Sequence, residues 1–289
     1  MSKFAGKTAI ISGGAEGIGF AIARALGQQK MNIVLADIDV ATLDKAVHEL
    51  NQAGITAIGT KLDVAEESDW EAVAARALGE FGEIHMLVNN AGVGGEPGPI
   101  EHQSIQGWMW GLSVNLMGVV YGVKTMIPHI KQHGDGGWLL NVASMAGMGG
   151  VPYSGVYTAS KSAVVALTEA WAAELGSDDI HVSVLCPGFV HTRIYASGRN
   201  RQARFESHAP VSPQAEQRKN SAAELVKNGI DPSIVGQRVI EALNAGELYI
   251  FTHAKYRDVI QQRSSAIDEA FARAEQSPIL RDVVSSDML

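Results

Sequence analysis

The 289-residue chain has a single cysteine, Cys186, so no disulfide can form within it. Such a chain is compatible with a reducing compartment. Positive charge is scarce: 23 Lys and Arg stand against 31 Asp and Glu, a net −8. That balance excludes a general nucleic-acid binder, which needs excess cations to neutralise phosphates. No apolar run is long and unbroken enough to read as a membrane span. The opening Met1-Ser2-Lys3-Phe4-Ala5-Gly6-Lys7 leads straight into a strand-like run, without the arrangement of a secretory signal. A cytoplasmic protein is therefore expected. No histidine pairs with Cys or Glu at metal-ligand spacing, so no metal is expected.

What the chain does contain is ample apolar surface, 46% of residues, in alternating short and long blocks. Thr8-Ala9-Ile10-Ile11 precedes a helix pattern from Ile18 to Leu26. Ile33-Val34-Leu35-Ala36 precedes another from Val40 to Leu50. Further short runs lie at 57–62, 86–88, 138–140, 182–185 and 248–251, with helical stretches between them. Alternating β and α elements with continuously apolar strands imply a parallel sheet covered on both faces. The expected fold is a single doubly wound α/β domain of Rossmann type, with a mostly parallel seven-stranded sheet and a C-terminal helical extension.

The first strand ends in Ser12-Gly13-Gly14-Ala15-Glu16-Gly17-Ile18-Gly19, where a helix begins. Glycines permit a tight turn and close approach of backbone to a pyrophosphate, and the helix N-terminus offers free N–H groups. Asp37 closes the second strand. It can accept hydrogen bonds from both ribose hydroxyls of NAD and repel the 2′-phosphate of NADP. Equally, it can cap the helix beginning near Val40. Glu16 adds a second negative charge nearby. Asp63-Val64 can cap the next helix or touch adenine. Asn89-Asn90-Ala91-Gly92 suits a close backbone approach to a cofactor, or a plain turn.

Tyr157 and Lys161 lie four apart on one helical face. A fixed ammonium lowers a neighbouring tyrosine pKa by favouring phenolate. Ser144, just past the fifth strand, can hydrogen-bond a substrate oxygen while Tyr157 moves the proton, or can serve as a turn residue. Asn115 sits inside a helix running from about Ser104, where Asn is unfavourable. Its amide either holds a water beside Lys161 or satisfies buried backbone. Trp108 and Trp110 read as helix packing, and Cys186 as a small buried residue.

Together these motifs resemble the short-chain dehydrogenase/reductase family, in its NAD-preferring branch. The matching pieces are Gly13-xxx-Gly17-x-Gly19, Asp63-Val64, Asn89-Asn90-Ala91-Gly92, Asn115, Ser144, Tyr157-xxx-Lys161 and Pro187-Gly188 with Thr192. A looser resemblance, carried by the long lid and tail, is to bacterial dehydrogenases that oxidise the benzylic alcohol of lignin-derived aryl ethers. The family resemblance implies Tyr157 as acid/base, Ser144 orienting the substrate oxygen, Lys161 holding the ribose, and Asn115 closing a proton relay. It implies NAD contacts from Ser12, Gly13, Gly17, Ile18, Gly19, Asp37, Asp63, Val64, Asn90, Ala91, Gly92, Tyr157, Lys161, Pro187, Gly188, Val190 and Thr192. It also implies a small-molecule alcohol or ketone substrate and a homotetramer, or a homodimer, paired through the helices holding Asn115 and Tyr157. Val119, Val120, Val123, Val164, Val165 and Leu167 are the expected surface for that pairing.

The domain is expected to span residues 1–252, with a helical extension at 253–289; the segment 189–229, poor in apolar residues and rich in charge, reads as a substrate lid or as partly disordered. The lid is rich in arginine, which reads as a solvated flexible loop, or else places Arg193 or Arg199 against an anionic or strongly polar part of the substrate. A rival reading is a cofactor-sensing binding protein on the same fold. The complete Ser144–Tyr157–Lys161 set argues against it, since a sensor needs no proton relay.

Overall fold

The computed structural model describes residues 2–207 and 213–280. Pro210 of the expected lid, and the expected extension beyond residue 280, lie outside the described residues. The chain divides into two compact units, Met1–Thr252 and His253–Leu289.

The first unit is built on seven strands: β1 (Thr8–Ser12), β2 (Asn32–Asp37), β3 (Ala57–Lys61), β4 (Met86–Asn89), β5 (Gly137–Val142), β6 (Ile180–Cys186) and β7 (Tyr249–Phe251). They form one sheet in the order β3-β2-β1-β4-β5-β6-β7, and every pair is parallel. Successive side chains alternate faces, so a strand covered on both sides must be apolar at every position. Ile11, Leu35, Val88 and Leu140 join one buried layer, with Ile22 and Leu26 of α1 (Gly17–Gln28), Leu43 of α2 (Val40–Gln52) and Val239 of α8 (Pro232–Ala245). Their chain neighbours Ile10, Val34, Leu87 and Leu139 join the other. There they meet Trp70 and Val73 of α3 (Glu67–Phe81) and Met126 and Ile130 of α5 (Gly118–Gln132). Trp70 is fully buried, and its indole N–H donates to the Val64 carbonyl at 3.1 Å.

Three elements differ from expectation. The helix expected from Ser104 through Asn115 is broken into α4 (Ile105–Leu112), a π turn (Ser113–Met117) and α5. The Gly118 N–H donates to the carbonyl of Ser113, five residues back. The expected lid contains a helix, α7 (Pro213–Lys227). Its sequence is mostly good helix formers with few large apolar residues, and small Ala215 and Ala223 are what it buries. Such a helix leaves almost no hydrophobic periodicity to read. Finally, Val119, Val123, Val164 and Val165 are buried within the chain, Val164 and Val165 on α6 (Gly155–Leu175). Val120 and Leu167 alone of the expected pairing surface stay half-buried.

The second unit holds α9 (Arg257–Glu275), on which Val259, Ile267 and Phe271 are exposed. Among the described residues, no helix is long and apolar enough to cross a membrane.

At the N-terminal edge of the sheet, the fold brings His85 to two residues distant from it in sequence, His133 and Asp135. Ligand-type atoms of His85, His133 and Asp135 lie within 4.8 Å of one another. Their hydrogen bonds leave little for a cation. His85 Nδ1 accepts the Thr8 N–H at 3.1 Å, so the proton of the neutral ring sits on Nε2, facing Glu83 at 3.4 Å. His133 donates Nε2–H to the Ile84 carbonyl at 2.9 Å and accepts the Asp135 N–H at Nδ1. Burial pushes the His85 pKa down, helped by His133 and Lys7 and opposed by Glu83 and Asp135. Protonation would also set an N–H against the Thr8 N–H.

The folded chain therefore binds fewer protons at His85 than the unfolded chain does. Its contribution to stability is present above about pH 6.5 and is lost as pH falls through the lowered folded value. His85→Gln should flatten the fall in melting temperature between about pH 6.5 and pH 5. Thermal melts across that range check it.

Candidate active site

The sheet order reverses between β1 and β4: the chain leaves β1 toward one edge and β4 toward the other. A crevice opens at the carboxyl ends of such strands. Its floor is set by a small polar lock. Ser12 is buried, and its hydroxyl accepts the N–H groups of Asn90 (3.0 Å) and Ala91 (3.2 Å). The Asn90 amide returns hydrogen bonds to the carbonyls of Ser12 (3.0 Å) and Gly13 (2.8 Å). This pulls the two strand ends so close that Gly13, at φ +61°, has no room for a side chain: a Cβ there would lie 2.8 Å from the Ala91 Cα.

The groove above is lined by Gly13, Gly17, Ile18, Asp37, Asp63, Val64, Asn90, Ala91, Gly92, Tyr157, Lys161 and Thr192. Ser12, Gly19, Pro187, Gly188 and Val190 do not line it. They stand behind, where the Gly188 N–H donates to Thr252 and Val190 is 4% exposed beside Ile230.

Asp37 is not a helix cap. Asp39 caps α2, accepting the Thr42 N–H at 3.1 Å. Asp37 accepts one backbone N–H on each oxygen, from Ala15 (3.1 Å) and Asp39 (3.0 Å), with lone pairs left over for the groove. Burial pushes its carboxyl pKa up, against those two hydrogen bonds. Glu16 does not act as a free second charge. Its carboxylate is paired with Arg193 at 2.9 Å and with Arg199. The two arginines thus face the ribose end of the groove, not the chemical end where an anionic substrate would meet them. Their hold on Glu16 leaves α1 without a side-chain cap, so its first-turn N–H groups stay available.

At the other end, Ser144, Tyr157 and Lys161 converge. The Ser144 hydroxyl accepts the Ala146 N–H at 3.1 Å and lies near enough to the Tyr157 phenol to favour its ionised form. Lys161 is 3% exposed, and its ammonium donates to the Val142 carbonyl at 2.8 Å. It lies 6.0 Å from the centre of the tyrosine ring. The expected lowering of the tyrosine pKa by Lys161 is absent from the protein alone. Burial pushes Tyr157 up, with only the Ser144 hydrogen bond opposing, and burial pushes Lys161 down to about 8. Burial disfavours both charges, but with its pKa at about 8 the Lys161 ammonium persists at neutral pH. Cys186 beside them is inert, its thiol pushed up to about 12 by burial.

Asn115 has both amide hydrogens committed, to the Val93 carbonyl (2.9 Å) and to Ser160 (3.1 Å). Its oxygen accepts the Val93 N–H at 2.7 Å. Ser160 donates on to the Tyr157 carbonyl. Asn115 is thus the buried backbone partner, tying the β4 loop to the tyrosine's helix. Its amide has no hydrogen left for a water beside Lys161.

Sequence reading missed Glu96, Trp110 and the lid residues Ser197, Gln202 and Arg204. Trp110, read as packing, is buried but also lines the groove. Its indole N–H donates to Gln202. The available signal was the surplus of arginines after Thr192, each needing a carboxylate.

A doubly wound parallel sheet with a glycine cradle at its switch point and Ser, Tyr and Lys at the neighbouring strand ends defines a dinucleotide-type oxidoreductase. The short chain dehydrogenase family model matches residues 7–203, and the chain belongs to that family. It is similar to the C alpha-dehydrogenase of Sphingobium sp. (strain NBRC 103272 / SYK-6), 30% identical over 96% of this chain and 90% of the relative. It is likewise similar to a CLA biosynthesis dehydrogenase/reductase of Lactiplantibacillus plantarum, 33% identical over 92% of this chain and 95% of the relative. A short chain dehydrogenase/reductase from Burkholderia phymatum, solved in complex with NAD, superposes with a TM-score of 0.91 at 34% identity. That match covers 93% of this chain and 97% of the other. The chain is an oxidoreductase acting on CH–OH groups of small molecules with a nicotinamide cofactor.

Lys161 carries a testable tension between stability and chemistry. Its folded pKa lies below its unfolded one, so the folded chain gains stability as pH rises from about 8 toward 10.5. At neutral pH the buried charge costs of order 3 kcal/mol, which the lost Val142 hydrogen bond partly offsets on substitution. Lys161→Met should raise Tm by a few degrees while abolishing turnover. Tyr157→Phe should lower kcat by about 10²- to 10⁴-fold with little change in Tm or cofactor binding. Melting curves and steady-state rates on the two variants separate these effects.

Proposed function

We propose that the protein is an NAD-dependent dehydrogenase interconverting a secondary alcohol and a ketone, on a hydrophobic alicyclic or aromatic substrate. The observation that carries this is the placement of Tyr157 and Lys161, with Ser144 beside the tyrosine, at one end of a groove whose other end is Asp37. The residues suit the cofactor. Gly13 and Gly17 leave room for a close backbone approach, α1 offers uncapped N–H groups, and Asp37 keeps acceptor capacity for ribose hydroxyls. Bound nicotinamide supplies the hydride acceptor or donor.

The protein's own residues handle the proton. Ser144 holds the substrate oxygen, and Tyr157 takes the hydroxyl proton during oxidation and returns it during reduction. Lys161, anchored on Val142, is positioned to bind ribose and to favour phenolate once the site is filled. Asn115 positions the tyrosine's helix, through Ser160 and the Tyr157 carbonyl. Val93, Val114 and Trp110 give the groove an apolar wall, which supports a hydrophobic substrate.

NAD preference rests on Asp37 alone, since Glu16 is neutralised. Asp37→Ala should weaken NAD use by about ten- to a hundredfold through loss of charged hydrogen bonds, while NADP use improves. Kinetics with both cofactors over a panel of alicyclic and aryl secondary alcohols test the proposal. A parent enzyme that prefers NADP would overturn it.

We propose a homotetramer, or a homodimer, as the working state, supported by the family resemblance and by exposed Met117 beside half-buried Val120 and Leu167. Light scattering at micromolar concentration should give a multiple of the chain mass of 30.7 kDa. A monomer there counts against the assembly.

A further inference from the structure

Residues 193–204 form a strap over the nucleotide groove, tied down by three carboxylates from three different strand ends. Glu16 follows β1, Asp63 follows β3 and Glu96 follows β4. Glu16 holds Arg193 and Arg199, and Glu96 holds Arg201. Burial works against the charge on Glu96, but hydrogen bonds from Arg201 and Ser104 outweigh it and keep its pKa low. Asp63, like Glu16 and unlike Glu96, lines the groove itself. One of its oxygens accepts the Gln202 amide at 2.7 Å and the other accepts Arg204 at 2.9 Å. The Gln202 carbonyl in turn receives the Trp110 indole N–H at 3.1 Å.

The space left beneath the strap is about 180 Å³. Sites for drug-sized ligands run from roughly 300 to 1,000 Å³, and a dinucleotide needs the larger end of that range. Gln202 reaches across that space to the Asp63 carboxylate and Arg204 holds its other oxygen, so a nucleotide that hydrogen-bonds Asp63 has to displace them. We propose that Gln202 and Arg204 set cofactor affinity: their bonds to Asp63 hold the strap over the groove and are given up when the nucleotide binds. This rests on the nicotinamide-cofactor reading above. It makes the two residues positioning residues, acting through the strap and not on the reacting atoms.

The test compares the full-length parent, the double variant Gln202→Ala/Arg204→Ala and the single variant Arg204→Lys, with NADH as the probe. Nicotinamide fluorescence gives Kd and stopped flow gives the association rate. The double variant should bind NADH roughly fivefold more tightly and associate faster, the size expected from releasing a half-exposed ion pair and one charged hydrogen bond. Arg204→Lys should stay near the parent. Losing a cation beside a dianionic ligand would by itself weaken binding, so tightening is a result that a general electrostatic role would not give. Salt offers a second readout: NADH association by the parent should quicken as added salt screens the Asp63–Arg204 pair, and the double variant should lack that quickening. If the parent binds NADH and the double variant binds no more tightly, with an unchanged salt response, the proposal fails alone. If the parent binds neither NADH nor NADPH, the cofactor reading fails and takes the proposal with it.

Discussion

The geometry of the site depends on how closely β1 and β4 approach at their carboxyl ends. Two parallel strands that diverge into opposite layers would splay there. The Ser12 hydroxyl and the Asn90 amide prevent it by exchanging four hydrogen bonds across the gap. With the strand ends pinned, Gly13 must be a glycine, α1 must start where it does, and Gly92 must pass close to both Asn115 and Lys161. A hydroxyl is what the position requires, so serine serves at residue 12. Ser12 and Gly19, both buried, shape the groove from beneath its lining.

Fold and chemistry were legible to different depths. The seven strands could be read because burial on both faces forces apolar runs, and their parallel order followed from alternation with helices. Ser144, Tyr157 and Lys161 could be read because chemistry restricts their types and spacing. What stayed hidden was whatever depends on a partner distant in sequence. Glu16 looks like a free charge until Arg193 and Arg199 fold against it. Arg201 finds Glu96, and Arg204 finds Asp63, across more than a hundred residues. His85 and His133 meet only because β4 starts where α5 ends. The helix α7 escaped notice for a different reason: helix propensity without an apolar stripe leaves little pattern to detect.

The distribution of charge organises the two ends of the groove differently. At the ribose end, three acids and two arginines stand in a partly solvated setting, where pairing is cheap and reversible. At the chemical end, the phenol and the ammonium are enclosed, and each is pushed toward its neutral form. A site of this kind is quiet until a charged ligand enters. The same desolvation that disfavours phenolate in the protein alone strengthens every electrostatic contact a bound ligand brings.

The π turn at Ser113–Met117 has a consequence for how this segment tolerates change. It amounts to one residue more than a regular helix would hold between α4 and α5. Each helical residue advances the chain by about 100°. The surplus residue therefore sets α5 out of phase with α4, so that Trp110 faces the strap while Asn115 faces Ser160 and Met126 faces the sheet. Deleting any one residue of the five would restore an unbroken helix with better backbone geometry. It would also rotate one half against the other and dissolve the link between the β4 loop and the tyrosine's helix. In this stretch length is constrained more tightly than composition: substitutions keep the phase, and a single-residue gap does not.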